Sequence, residues 1–421
     1  MNRDHQGTGL RAESCVYLDY AATTPVAPQV AEAMSRCLGR EGLFGNAASR
    51  PHRFGVEARA AVENARSQVA ELIAADPAEI VWTSGATESI NLAVKGAARG
   101  ARGRGRHIVT SSMEHKAVLD SCARLAHEGF EVTFVEPDFD GTIAPKSIER
   151  ALREDTILVS LMHVNNEVGT VTDIVAVGSL VRERDVVFHV DASQSAARLP
   201  LDVRGARADL VSLSGHKMYG PKGVGALYVR SSCPFPLEPQ MHGGDQEQGL
   251  RSGTLATHQV VGMGKAAELA CECLDKDAEA TAGLDRRLRE LLELIPRSFL
   301  NGNQRVRVPG ILSAGFACID SEALLMALRD EVAISSGSAC TSDRVEPSHV
   351  LNALRLSEEA IACSVRFSLG RYTTANEVDL AATRLSETIG DLRQLSPGWT
   401  EESTSGRQPE PCAQDQRWAT A

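Results

Sequence analysis

The sequence predicts an α/β protein: a largely parallel sheet covered by helices on both faces, followed by a smaller α/β unit. Two observations carry this reading. Apolar, β-branched runs of strand length alternate with helical stretches between residues 79 and 230, the pattern of a doubly covered parallel sheet. A chain of 421 residues also exceeds what one small core organises, and near residue 265 the texture changes to one long helical pattern.

Seven runs read as strands in order: "EIVWTSG" (79–85), "RHIVTSS" (106–112), "FEVTFVE" (130–136), "TILVSLMHV" (156–164), "DVVFHVDAS" (185–193), "ADLVSLSGHK" (208–217) and "GVGALYVR" (223–230). "RAAVENARSQVAELIAA" (59–75) and "SLVRERD" (179–185) read as helices between or before them. After residue 265, "GILSAGF" and "VAISSG" read as strands, and "SEALLMALRD" and "ANEVDLAATRLSETIGDLRQL" as helices. The domains expected are an N-terminal extension (1–16), a large domain (17–265), a small domain (266–396) holding a cysteine loop (335–347), and a polar tail (397–421).

Composition narrows the function classes. A formal net charge of −11 disfavours a general nucleic-acid binder. The basic "GAARGARGRGRH" (96–107) reads as a solvated loop between a helix and a strand. No run approaches the ~20 apolar residues of a membrane span, and the first residues show no secretory h-region. The ten cysteines are scattered without a C-x-x-C pair, which suggests a reducing, cytoplasmic setting and no zinc site. "CEC" (271–273) lies in helical sequence without partner ligands.

Open parallel sheets bind ligands beyond the carboxyl ends of their strands, and polar groups collect there. In "TSGATES" (83–89), Gly85 permits a tight turn, and the N–H groups of Ala86 and Thr87 at a helix start suit a phosphate; an ordinary capped helix is the alternative. Asp191 ends "VVFHVDAS", as a helix cap or as the partner of a pyridine nitrogen, and Gln194 follows. Lys217 lies in the Gly-rich turn "SLSGHKMYGPKG" with Ser214 and His216, either as a solvated loop lysine or as a Schiff-base lysine. His115 ends another strand, as does "NNE" with Asn165, Asn166 and Glu167, where Asn166 suits a hydrogen bond to either the cofactor or the substrate. Arg366 suits a carboxylate, although spacing alone reads it as a surface ion pair. Cys340 lies among small residues in "SSGSACTS", a presented rather than a core thiol.

"VYLDYAATTPV", "FGNAASRPHRFG", "TSGATES", "EHKAVLDSC", "MHVNNEVGT", "HVDASQS", "SGHKMYGPKGVGALYVR", "MHGGDQEQGLRSGT" and "SSGSACTS" followed by "EPSHVL" together resemble the cysteine desulfurases, in their iron–sulfur-cluster and nitrogen-fixation group. The resemblance spans about residues 15–398. It implies the type I fold of pyridoxal-phosphate enzymes, with a mostly parallel seven-stranded sheet, and a homodimer. It also implies that Lys217 carries the cofactor, that His115 stacks on its ring and moves protons, that Asp191 pairs with its ring nitrogen and that Gln194 contacts its phenolate oxygen. Ala86, Thr87, Ser214 and His216 would hold the phosphate, with Thr254 reaching the partner subunit's phosphate. Asn166 and Arg366 would grip the carboxylate of L-cysteine, and Cys340 would take the sulfur as a persulfide while alanine leaves.

No resident metal is expected, with transient ligation of iron or a cluster at Cys340 the one exception. The sulfur acceptor would be a protein such as a cluster scaffold, for iron–sulfur assembly or tRNA thiolation. The tail departs from the family pattern at the end where such scaffolds dock. The competing readings are a selenocysteine lyase or another type I enzyme that needs no nucleophilic Cys340, and a non-catalytic sulfur-relay scaffold. The Cys340 loop is expected to be poorly ordered at rest.

Overall fold

The structure, a computed structural model, describes residues 15–336, 347–396 and Trp399. Cys340, and with it the expected order of its loop and the tail beyond Trp399, lies outside the described residues.

All seven expected strands form one sheet: β1 (Ile80–Thr83), β2 (His107–Ser111), β3 (Glu131–Val135), β4 (Thr156–Met162), β5 (Val187–Asp191), β6 (Leu210–Ser214) and β7 (Gly225–Val229). The spatial order is β1-β7-β6-β5-β4-β2-β3. β7 runs antiparallel to both its neighbours, and every other pairing is parallel. Strands β1, β2, β4, β5 and β6 are buried along their whole length, because helices cover both faces. On these faces lie α1 (Arg53–Leu72), α2 (Ala86–Gly100), α3 (Lys116–His127) and α4 (Ile174–Arg182). Two cores flank the sheet, one around Trp82, Phe188 and Tyr228, the other around Ile108, Leu125 and Leu158.

A 37-residue helix, α5 (Thr257–Glu293), runs unbroken through the change of texture at residue 265. At ~1.5 Å per residue it is about 55 Å long, long enough to serve two cores. Its first half buries Val260, Met263 and Ala267 in the Trp82 core, packed chiefly on α1; its second half buries Leu288 and Leu292 in a third core. That third core also takes residues from an antiparallel sheet of β8 (Ser298–Asn301), β9 (Ile311–Phe316) and β10 (Ser364–Ser368), and from α6 (Ala375–Leu395).

Three local expectations are corrected. "VAISSG" gives only a two-residue strand, Val332–Ala333, which pairs with Val16–Tyr17 rather than joining β9. The helix expected at 179–185 begins at Ile174, where Asp173 caps it by accepting a hydrogen bond from Ala176 N at 3.0 Å. The basic stretch from 96 is not all loop, since α2 continues to Gly100. Arg99 is tied to Glu128 at 2.7 Å, and Gly100 lets the helix approach the Pro236 carbonyl so closely that a Cβ there would collide with it.

Candidate active site

The C-terminal ends of the parallel strands carry most of the residues singled out from the sequence. Asp191 closes β5, Ser214 closes β6 with Lys217 in the turn that follows, and α2 begins just beyond β1. The α2 start is not an ordinary capped helix. Gly85 has φ 155° and ψ 175°, a region that only glycine occupies without strain. No side chain caps the helix, so the N–H groups of its first turn, from Ala86 and Thr87 onward, have no intrahelical partner. Thr87 is exposed there.

The Lys217 turn is pinned from the N-terminal segment. Thr24 Oγ1 donates to His216 O at 3.0 Å and accepts from Tyr219 N at 2.8 Å, and Thr23 Oγ1 lies 3.1 Å from His216 Nδ1. Burial and the neighbouring Lys217 and Lys222 push the His216 pKa down to about 4, so its ring is neutral. Lys217 is held below the usual lysine range, chiefly by burial; Arg366 and Arg198 add to this and Asp191 opposes it. It is not a solvated loop lysine. A depressed pKa supplies the unprotonated amine that attack on an aldehyde requires.

Asp191 is buried, and its Oδ1 accepts from Ser193 N at 2.9 Å and from Ser193 Oγ at 2.5 Å. Beneath it on β5, His189 is sealed between Ser160 Oγ (2.8 Å) and Ser212 Oγ (2.9 Å), and burial pushes its pKa down to about 4. Gln194 Nε2 donates to Ala21 O at 2.8 Å.

His115 caps α3, its Nδ1 accepting from Ala117 N at 3.1 Å. This contact places the proton of the neutral ring on Nε2. Burial and Lys217 lower its pKa, and Asp191 opposes them. The two asparagines after β4 differ. Asn165 is buried and spends its side chain on Met113 O, Glu167 N and Val168 N. Asn166 is partly exposed, with no side-chain hydrogen bond among the described residues.

Arg366 on β10 is 3% exposed, so it is not the surface ion pair that spacing suggested. Its guanidinium donates to Asp19 Oδ1 at 2.8 Å and to Asn166 O at 3.0 Å, while Nε is buried without a partner. Ser335 bridges to the same residue through the backbone, Ser335 N to Arg366 O at 3.2 Å and Arg366 N to Ser335 O at 2.6 Å. The chain entering the Cys340 segment therefore leaves from beside the Arg366 backbone. Where the chain resumes, Ser348 Oγ donates to the buried Glu167 Oε2 at 2.5 Å and His349 Nε2 lies 2.9 Å from Glu114 O, next to His115. Burial raises both the Glu167 and the Glu114 carboxyl pKa, that of Glu114 to about 8. Thr254 is exposed, on a segment tied to α2 by Arg251 and Glu88 at 2.9 Å.

Residues 16–380 match the aminotransferase class-V family. The cysteine desulfurase IscS of Azotobacter vinelandii is 56% identical over 384 residues, 91% of this chain and 95% of that protein. The chain belongs to the cysteine desulfurases of the aminotransferase class-V family. The IscS of Pseudomonas aeruginosa is 55% identical over the same 91% and 95%. Among solved structures, a NifS-like protein superposes with a TM-score of 0.84 at 35% identity, covering 90% of this chain and all of that one. SspA in complex with cysteine superposes at 0.74 and 39% identity over 85% of this chain and 99% of SspA.

This cysteine desulfurase is a pyridoxal-phosphate-dependent enzyme of the type I fold. The residues present fit the cofactor on a physical test. A buried polar atom without a partner is costly, yet Ser214 Oγ and Gln194 Oε1 are such atoms at the sheet end that holds Lys217. Together with the uncapped α2 start they make a polar, anion-suited rim. Sequence reasoning missed Asp19, Arg198, Thr23, Thr24 and Glu114. Asp19 and the two threonines lie within "VYLDYAATTPV", but no local pattern shows that this stretch crosses 190 residues to brace the Lys217 turn.

Proposed function

We propose that this chain removes sulfur from free L-cysteine, holds it on Cys340 and delivers it to an acceptor protein. In this reading the cofactor is held by Lys217, Asp191, Gln194 and His115, with its phosphate at Ala86, Thr87, Ser214 and His216. When bound, it supplies an electron sink that stabilises negative charge at the substrate α-carbon.

The chain's own residues do the rest. Arg366, whose Nε has no protein partner, and Asn166, whose side chain is uncommitted, orient the substrate carboxylate. Lys217, with its lowered pKa, serves as the base for the α-proton. His115, neutral with its proton on Nε2, relays protons between the substrate and the Cys340 thiol. The Cys340 thiolate attacks the substrate sulfur, and the S–S bond forms as the carbon–sulfur bond breaks. The released carbon takes a proton and leaves as alanine. One thiol and one cysteine thus give one persulfide and one alanine, with no external oxidant or reductant.

The observation that carries this reading is the Ser335–Arg366 bridge. Cys340 lies five residues beyond Ser335, a span of at most about 17 Å of extended chain. Its thiol is therefore tethered within reach of the groups assigned to the substrate, a feature an aminotransferase or a lyase without a nucleophilic cysteine does not need. The test is Cys340→Ser with L-cysteine as substrate. Cofactor absorption should persist while persulfide formation and desulfuration without added thiol are lost. Undiminished alanine release would return the protein to the lyase reading. In Lys217→Ala the visible cofactor band should disappear.

We further propose a homodimer, with Thr254 completing the partner's site. Leu38, Phe44, Phe54 and Val56 are exposed apolar side chains, with the Phe44 and Phe54 rings 5.2 Å apart, and such a patch favours burial against a second copy. No described helix is long and apolar enough to cross a membrane. The described cysteines are free, which supports a reducing, cytoplasmic setting. An iron–sulfur scaffold or a tRNA-thiolation protein fits the acceptor role.

A further inference from the structure

At the other end of the large sheet, away from the cofactor rim, four arginines surround one cavity. Arg182 closes α4 just before β5, Arg204 and Arg207 lie in the loop before β6, and Arg230 follows the antiparallel β7. All of these positions belong to the N-terminal edge of the parallel strands. Asp191 and Ser214 sit at the opposite edge, roughly 13 Å of strand away. The cavity is open to solvent, about 380 Å³ in volume, and floored by Tyr228.

Its electrostatics are unbalanced. Two carboxylates are buried at this edge: Glu79, whose Oε1 accepts from Ser231 N at 2.8 Å and Ser231 Oγ at 3.0 Å, and Asp209, on whose Oδ1 both Arg182 (3.2 Å) and Arg230 (2.5 Å) lean. Asp209 Oδ2 is committed to Phe188 N at 2.9 Å. Arg204 and Arg207 are exposed, and among the described residues neither has a side-chain ion pair or hydrogen bond. The nearby acids do not line the cavity: Asp202 Oδ1 accepts from Arg204 N at 2.9 Å, and Glu183 follows Arg182 on the outer surface. The cavity lining thus holds four arginines and no acid, and only two of the four are paired with Asp209, in a chain whose net charge is −11.

One independent feature points inward. Tyr228 is only 1% exposed, and its hydroxyl has no hydrogen-bond partner among the described residues. Its ring is packed in the core around Trp82 and Phe188, leaving the hydroxyl as an uncommitted donor at the cavity floor.

We propose that this cavity binds a small phosphate-bearing anion, separate from the cofactor site. Planar guanidinium forks match the oxygens of phosphate bidentately. The volume admits a pyrophosphate or a nucleoside monophosphate. The hydroxyl of Tyr228 adds a neutral donor from below.

The test uses the cofactor-loaded full-length enzyme, so that the cofactor's own phosphate site is filled, and titrates inorganic pyrophosphate and AMP calorimetrically at low ionic strength. Saturable binding of either is expected, with unchanged cofactor absorption. Binding of AMP assigns a phosphate ester, and binding of pyrophosphate alone an inorganic anion. Arg204→Ala/Arg207→Ala should weaken binding by at least about tenfold, Tyr228→Phe by several-fold, and Arg204→Lys/Arg207→Lys by an intermediate amount. Arg286→Ala/Arg329→Ala, which removes two exposed charges elsewhere, should leave binding unchanged, and desulfuration by the Arg204/Arg207 variant should match the parent. Absence of saturable binding of both probes overturns the proposal. So does parental affinity in Arg204→Ala/Arg207→Ala, or equal weakening in the control pair.

Discussion

Replacing Arg366 by lysine keeps the positive charge and most of the side-chain length, so it isolates the geometry of the guanidinium. In the structure one nitrogen serves Asp19 at 2.8 Å, a second serves the Asn166 carbonyl at 3.0 Å, and Nε has no partner. Three separate directions are therefore served or offered at once, by a fork only 3% exposed. A lysine ammonium is a single point that cannot hold Asp19, Asn166 O and a substrate carboxylate together. At least one charge-assisted hydrogen bond is lost, worth about 1.5–3 kcal/mol. At about 1.4 kcal/mol per tenfold, this is about a 10- to 150-fold effect. It should appear mainly as a raised KM for L-cysteine, measured by alanine release, while the cofactor absorption band keeps its intensity. Because Asp19 stays paired with a cation, thermal stability should fall little. A KM within about twofold of the parent, in a variant that holds its cofactor, would refute the assignment of Arg366 to the substrate carboxylate.

Buried titratable groups give two pH predictions of opposite sign. The folded pKa of His189, about 4, lies below its unfolded value of about 6.5. The unfolded chain therefore binds more protons between these values, and stability present above pH 6.5 is lost as pH falls toward 4, by up to about 3 kcal/mol from this residue. His189→Gln should show a shallower acid slope in thermal melts; an identical slope would remove His189 from the account. The Glu114 pKa is raised to about 8, so its contribution is complete below pH ~4.5 and is lost as pH rises through 8. Glu114→Gln, which keeps the shape without the titration, should gain on the parent from pH 5 to pH 8, and a constant difference in melting temperature would contradict this. Gly100→Ala puts a Cβ into the Pro236 carbonyl and should cost about 1–3 kcal/mol; a neutral or stabilising result in chemical denaturation would show that the Pro236 loop moves freely.

How much was legible in the sequence follows from the range of the interactions involved. Five strands of the large sheet are buried along their whole length and β7 nearly so, while the edge strand β3 exposes Glu131 and Phe134; in all seven the β-branched run announces itself locally. The placement of Asp191, Ser214 and Lys217 on one rim was legible because each ends or follows such a run directly. Val332–Ala333 misled because two residues of β-like sequence pair with the distant Val16–Tyr17, a partner no window contains. Arg366 misled for the same reason: its burial comes from Asp19 and Asn166, some 350 and 200 residues away. The extension of α2 into a Gly- and Arg-rich stretch was hidden by composition, since glycine there serves close packing against the 236–238 segment rather than a turn. The arginine cavity was invisible because its residues come from four separate segments with no motif between them.

The most direct test of the central claim is a single-turnover reaction of the loaded enzyme with L-cysteine in the absence of added thiol, followed by peptide mass analysis and alanine counting. The account predicts a mass gain of one sulfur atom on the peptide containing Cys340, with one alanine released for each persulfide formed. Alanine release at the parental rate from Cys340→Ser, or a persulfide found instead on another cysteine such as Cys318, would contradict it.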